Sequence, residues 1–233
     1  IINENEIGVI KMEVVRSVLP DNGFLQSVRD IANKNGIVLI FDECTSGFRE
    51  TLGGIHKKYE VNPDMMMLGK TLGNGYAITA VLGREEIMFA AQETFISSTF
   101  WTERIGPTAA LKTLEIMEKQ KSWEKITSTG RLIGARWKNL AEKYDLPIKI
   151  SGIPALVHFY FPLNDWLKYK TFITQEMLKK GFLAGNSVYA CTEHDENILD
   201  QYFNAIEPIF SIISDCQNGK NIDTLLDGDI CHS

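Results

Sequence analysis

Cysteine and histidine are scarce in this chain, four of each in 233 residues, and no two cysteines stand in a CxxC spacing. Neither a zinc site nor a disulfide framework is suggested by that usage, and no metal is expected. A reducing, cytoplasmic setting is the expectation. Long apolar runs are missing too. No stretch of about 18 residues reads as a membrane span, and none reads as a signal peptide. An excess of positive charge is also missing: the formal net charge is −6, which argues against a nucleic-acid or anionic-membrane surface. There are no internal repeats or low-complexity tracts. There is no initiator methionine either, since the chain opens on Ile1-Ile2, as expected of a truncated start. What is there, 44% hydrophobic and 23% charged residues, is the make-up of an ordinary globular protein able to bury one or two cores.

The spacing of apolar residues predicts an alternation of strands and helices. Residues 7–15 read as a strand, Pro20-Asp21-Asn22-Gly23 as a turn, and residues 24–35 as a helix through Leu25, Val28, Ile31 and Ala32, closed by Asn35-Gly36. Residues 37–41 form a continuous apolar run of strand length, suited to a parallel strand buried on both faces. Asn62-Pro63-Asp64 opens a further strand, residues 72–75 turn, and residues 78–82 return as a strand. From Ile105 the pattern becomes helical, with a second helix over residues 123–144. Two short strands (148–151 and 155–161), a helix (165–180), a strand (182–184) and a last helix (195–213) follow. The reading is α/β: a mostly parallel sheet, then a small α+β domain.

Two strand ends carry the chemistry. The run at 37–41 ends in Asp42-Glu43-Cys44-Thr45-Ser46-Gly47-Phe48-Arg49, and the apolar run at 65–68 ends in Gly69-Lys70-Thr71-Leu72-Gly73-Asn74-Gly75. In open α/β sheets ligands gather at the carboxyl ends of strands. One acid and one amine placed there match what pyridoxal phosphate needs, a lysine for a Schiff base and a carboxylate for the ring nitrogen. Gly69-Lys70-Thr71 also invites a nucleotide-binding reading, but a Walker A loop needs glycine at position 64, which is Asp64.

At these residues the chain resembles the class-III (fold-type I) pyridoxal-phosphate aminotransferases, glutamate-1-semialdehyde aminomutases and sugar-processing relatives above all. The likeness lies in residues 36–51 (GIVLIFDECTSGFRET), 52–55 (LGGI), 62–80 (NPDMMMLGKTLGNGYAITA) and 83–88 (GREEIM). It continues more weakly through 98–111 (STFWTERIGPTAAL) and 190–210 (ACTEHDENILDQYFNAIEPIF), about residues 7–210 in all. Family members run to about twice this length. Their first half carries a Gly/Ser-rich phosphate loop and a ring-stacking aromatic residue, so the chain reads as the second half of such an enzyme. The expected divisions are residues 1–110 for the C-terminal part of the cofactor-binding large domain, 111–216 for the small domain, and 217–233 for a polar tail.

The resemblance implies roles residue by residue. Lys70 is the catalytic lysine that binds pyridoxal 5′-phosphate and then moves a proton on the substrate; the bland alternative is a surface lysine after a strand. Asp42 pairs with the ring nitrogen, against the plain reading of an acid at a strand end. Cys44 stands beside the ring as a packing residue, with no histidine near in sequence to activate it. Thr99 matches the threonine that dimers of the family lend to the neighbouring subunit's cofactor phosphate. The segment departs from the usual Thr-x-x-Gly-Asn-Pro pattern, so Ser98 or Thr102 are substitutes, and a serine/threonine-rich loop capping the helix at Ile105 is the structural alternative. Glu43 faces away and supplies a structural hydrogen bond. Glu13 buttresses the site or makes a simple salt bridge. Arg49 pins the loop, with substrate-carboxylate binding as the alternative. Gly73 and Gly75 allow backbone geometry that other residues resist. His158 reads as a satisfied core histidine, and His194 as a residue at a helix start beside the capping candidates Thr192 and Asp195.

The implied function is amino transfer from a small-molecule donor to an aldehyde or ketone acceptor, or aminomutation within one carbon skeleton, in a homodimer with its active site at the interface. Neither nucleic acid nor membrane is an expected partner. The departure at residues 95–104 favours a specialised aminotransferase. The rival from another class is a non-catalytic remnant or dimerisation fragment that cannot hold cofactor, and the 233 residues alone are expected to be inactive. A half-sheet is also expected to expose apolar surface and an unpaired strand edge.

Overall fold

The computed structural model describes residues 6–232. Contacts divide the chain into two compact units, one up to Glu124 and one from Lys125. In the first, β1 (Val9–Glu13), α1 (Phe24–Lys34) and β2 (Val38–Asp42) form a β-α-β unit with parallel strands. Then β3 (Met65–Leu68) joins β2 in parallel and β4 (Ala80–Gly83) joins β3 antiparallel, in the order β1-β2-β3-β4. The sheet is thus mostly parallel. Two helices follow, the short α2 (Glu85–Phe89) and the long α3 (Ile105–Gln120).

The core of this unit lies on one side of the sheet. Leu39 and Phe41 are fully buried with Leu25, Ala32 and Ile37, while Val38, Ile40 and Asp42, on the other side of β2, are only half-buried. The expectation of a strand buried on both faces is therefore corrected. The run of five apolar residues at 37–41 does not distinguish one covered face from two, and among the described residues α1 covers only one. Val9 and Val81 are exposed on the other.

Asp64, just before β3, staples the unit together. Its Oδ2 accepts from the Leu39 backbone N–H (2.8 Å) and from Arg29 of α1 (2.9 Å), and its Oδ1 accepts from Arg84 (3.1 Å). Burial works against its ionisation, but the Leu39 N–H and the two guanidinium groups outweigh it and hold its carboxyl below the ordinary aspartate value. Asp64→Ala should cost about 3 kcal/mol, because it leaves a mostly buried arginine and a buried N–H without their acceptor. A depressed folded-state pKa gives stability that is present above the unfolded value and lost as pH falls through the folded one. The parent should lose stability on acidification below about pH 4, and Asp64→Ala should lose less over the same range, as urea unfolding at each pH would show.

The break expected at residues 110–111 falls inside α3. That helix packs its Ala110 and Met117 against Phe48, Leu68 and Leu72 of the first unit, with Leu114 and Trp123 alongside, so its apolar stripe belongs with the sheet. Its first turn is capped by Glu103, which accepts from the N–H groups of Ile105 and Gly106, and not by the serines and threonines of the loop.

The second unit holds α4 (Ser122–Lys143) from Lys125 onward, β5 (Lys149–Ser151), β6 (Leu156–Tyr160), α5 (Trp166–Lys179), β7 (Ser187–Tyr189) and α6 (Glu196–Gln217). Its three strands form an antiparallel sheet in the order β5-β6-β7. Trp137, Phe159, Phe161, Ile173, Met177, Ile206 and Phe210 are fully buried in one core. The strand expected at 182–184 is instead an extended link. Phe182 and Ala184 pack on the core without ladder bonds, and Val188 takes the place opposite Val157. Asp195 caps α6 by accepting from the Ile198 N–H, and His158 is satisfied by Ser151 Oγ at 2.7 Å. Residues beyond α6 are not a free tail: Ile222 is buried in the core and Lys168 of α5 reaches Asp223. No described helix is long and apolar enough to cross a membrane.

Candidate active site

β2 and β3 run parallel as neighbours, with Asp42 opposite Met67, so their carboxyl ends come together. The chain after β2 turns away at once. The Glu43 N–H still reaches the Met67 carbonyl (2.9 Å) and the Gly47 N–H closes back on the Glu43 carbonyl (2.8 Å). After β3, Gly69 is extended and Lys70 opens a short 3-10 turn, Lys70–Leu72, with φ of +45°. Non-glycine residues rarely adopt that conformation.

The turn aims Lys70 back at the loop after β2. Its Nζ donates to Thr45 Oγ1 at 2.8 Å. Asp42 Oδ1 accepts from the Cys44 N–H (3.2 Å), and Oδ2 pairs with Lys11 Nζ of β1 (2.8 Å). The Lys11 ammonium first, helped by the Cys44 N–H, holds the Asp42 carboxyl below the ordinary value despite partial burial. Cys44 lies against Gly69, where an added Cβ would stand 3.5 Å from its sulfur. Burial and the adjoining Asp42 carboxylate push its thiol up, which disfavours the thiolate that a nucleophile needs.

Glu43 points the other way, into the protein, and is fully buried. It accepts from the Ile55 N–H, the His56 N–H (3.0 Å) and Ser46 Oγ (3.1 Å), and its Oε1 lies 2.6 Å from His56 Nδ1. This network anchors the Asp42–Cys44 corner from behind. Gly54 leaves room for it, because a Cβ there would overlap the His56 ring. Arg49 Nε donates to the Thr45 carbonyl (3.4 Å), which ties the same loop. Gly75 does take a positive φ of +103°. Gly73 does not: its φ is −89°, and it is needed because a Cβ would meet the Tyr76 carbonyl.

Thr99 sits apart from this group. It is exposed in the loop before α3, with Ser98 and Thr102, and no hydrogen bond joins it to Asp42, Cys44 or Lys70 among the described residues. Glu13 stands opposite Asp42 in the β1–β2 register. One oxygen lies 3.6 Å from Arg16, while Oε2 is buried with no hydrogen-bond partner among the described residues.

The sequence reading misses Thr45 and Lys11. Thr45 carries no signal, since threonine after a strand is common. Lys11 does carry one: a lone charge in the apolar run Val9-Ile10-Lys11-Met12, two residues before Glu13 and so on its face.

The class-III aminotransferase family model matches residues 13–194. The chain belongs to that family. Among its relatives, the 3-aminobutyryl-CoA aminotransferase of Cloacimonas acidaminovorans is 39% identical over 158 residues, 67% of this chain and 38% of that protein. The glutamate-1-semialdehyde 2,1-aminomutase of Methanococcus maripaludis is 30% identical over 226 residues, 88% of this chain and 53% of that protein. The chain thus spans about half the length of that relative, and less of the first. The FumI protein of Sphingopyxis sp. MTA144, solved in its PLP internal aldimine form, matches 94% of this chain and 55% of its own at a TM-score of 0.85 and 21% identity. An omega-transaminase from Sphaerobacter thermophilus matches 83% of this chain and 48% of its own at a TM-score of 0.75 and 20% identity. The fold is that of the fold-type I transaminases, over about half of their chains. The cofactor these findings indicate for the family is pyridoxal 5′-phosphate, and the residues present fit it in kind: a primary amine on one strand end, a carboxylate held below its ordinary pKa on the next, and beside it a buried carboxylate oxygen with no hydrogen-bond partner among the described residues.

Proposed function

We propose that this chain supplies the lysine- and aspartate-bearing part of a pyridoxal-phosphate-dependent aminotransferase or aminomutase site. The observation that carries the reading is the meeting of Lys70 and the Asp42–Thr45 loop at two neighbouring parallel strand ends, fastened by the Lys70–Thr45 hydrogen bond. When bound, the cofactor supplies an aldehyde that carries amino groups and a ring that accepts the electron pair left on a substrate carbon. Lys70 Nζ is the amine that would hold the cofactor and, once released, would carry a proton to and from the substrate's α-carbon. Asp42 keeps a proton on the ring nitrogen. Cys44 packs beside the ring and excludes water.

Thr99 serves the cofactor phosphate of a neighbouring subunit in a homodimer. Its exposure beside the exposed Phe95, Phe100 and Trp101 supports a surface that a second copy covers. The four free cysteines support a reducing, cytoplasmic setting. The partners in the reaction are a small amino donor and a carbonyl acceptor. A second reading, a dimerisation fragment that does not bind cofactor, is favoured by the engagement of Asp42 Oδ2 by Lys11.

The test is to mix the purified chain with pyridoxal phosphate, reduce with borohydride and map the labelled peptides. A single adduct on Lys70 is expected. No adduct, or label spread over many lysines, overturns the reading in favour of the fragment.

A further inference from the structure

The Asp42 carboxylate is not waiting empty for a cation. In the parallel β1–β2 register Lys11 lies opposite Ile40 and Glu13 opposite Asp42, so Lys11, Glu13 and Asp42 share one face of the sheet. Lys11 Nζ sits 2.8 Å from Asp42 Oδ2, while Oδ1 is taken by the Cys44 N–H. A protonated ring nitrogen brought to Oδ2 meets a positive charge already there, and two like charges around one oxygen repel.

Two features make Lys11 a removable occupant. Its side chain is 52% exposed, and an ammonium on a flexible four-carbon stem leaves one acceptor for another more readily than a guanidinium fork does. A receiving acceptor is also in place: Glu13, two residues along the same strand, has a buried Oε2 with no hydrogen-bond partner among the described residues.

We infer that Lys11 holds Asp42 Oδ2 in the cofactor-free chain and yields it to the cofactor's ring nitrogen, its ammonium passing to Glu13 Oε2. Lys11 and Glu13 are then positioning residues that set how tightly pyridoxal phosphate binds. The idea rests on the function proposed above. It explains why an engaged Asp42 is compatible with a working site.

The test is a spectroscopic titration with pyridoxal phosphate at neutral pH and low salt, run on the parent, Lys11→Met, Lys11→Gln, Lys11→Arg, Glu13→Gln and the double variant Lys11→Met/Glu13→Gln, each checked for an unchanged circular-dichroism spectrum and mapped for its borohydride-fixed adduct. The two neutral Lys11 variants should bind about threefold to fivefold more tightly than the parent, the upper range for a partly exposed ion pair, with the gain shrinking in 1 M salt. Lys11→Arg, which keeps the charge, should show no gain. Glu13→Gln should weaken binding in the parent and change nothing in the Lys11→Met background. Equal or weaker binding by both neutral variants, with the Lys70 adduct intact, overturns the inference and leaves the proposed function standing. No Lys70 adduct in any of the six proteins overturns both.

Discussion

Replacing Lys70 with alanine should abolish borohydride-fixed pyridoxyl label at a single site while leaving the far-ultraviolet dichroism and the thermal transition close to those of the parent. Lys70 is exposed, and among the described residues its amine hydrogen-bonds the Thr45 hydroxyl, so little folding energy goes with it. On the proposed function the chemical loss is large, because the other lysines meet the aldehyde without the orientation that a site imposes. A drop in label of more than about a hundredfold is expected on that ground. Peptide mapping decides the matter. If label survives at its full level on another lysine, Lys11 for instance, then Lys70 is not the residue that takes the cofactor, whatever its place on the strand end.

Glu43→Ala should have the opposite profile, a large effect on folding. The carboxylate is fully buried and is the acceptor for two backbone N–H groups, a hydroxyl and a histidine ring that is itself buried. Each buried donor left without an acceptor costs about 1–3 kcal/mol, so the sum should reach about 4 kcal/mol or more. Urea unfolding would read this as a lower midpoint for the first unit. Glu43→Gln, which keeps one acceptor oxygen, should cost less than Glu43→Ala. Because Glu43 lies between Asp42 and Cys44, the alanine variant should also capture pyridoxal phosphate poorly, even under conditions where it is still folded. A loss below about 1 kcal/mol would mean that water fills the gap and that the corner does not depend on this side chain.

The β-α-β unit at the start of the chain is legible in the sequence because its signals are local. The spacing of Leu25, Val28, Ile31 and Ala32 marks the helix, and the apolar run before Asp42 marks the strand. The pairing of Lys70 with the Asp42 loop is legible for a similar reason, since both residues end apolar runs of strand length. What lies across the fold is hidden. Nothing local says that Asp64 joins Leu39, Arg29 and Arg84, or that Thr45 receives Lys70. The strand expected at 182–184 fails because Phe182 and Ala184 have strand-like character, while the ladder position is decided by the distant partner Val157. The domain break fails likewise: α3 reads as a helix leaving the sheet, and only its packing on Phe48 and Leu68 assigns it to the sheet. The half-covered face of β2 is invisible for a related reason, because a short apolar run is the same whether one face or two are buried.

The left-handed backbone at Lys70 has a consequence for anyone who would improve this protein by selection. Judged by folding alone, the favoured residue at a φ of +45° is glycine, which takes that conformation without the steric cost a side chain incurs. A screen that rewards only survival of heating would therefore press on position 70 and return sturdier chains without their amine. On the function proposed above, the lysine stands there for its chemistry, against the preference of its own backbone, and durability and chemistry pull this turn in opposite directions.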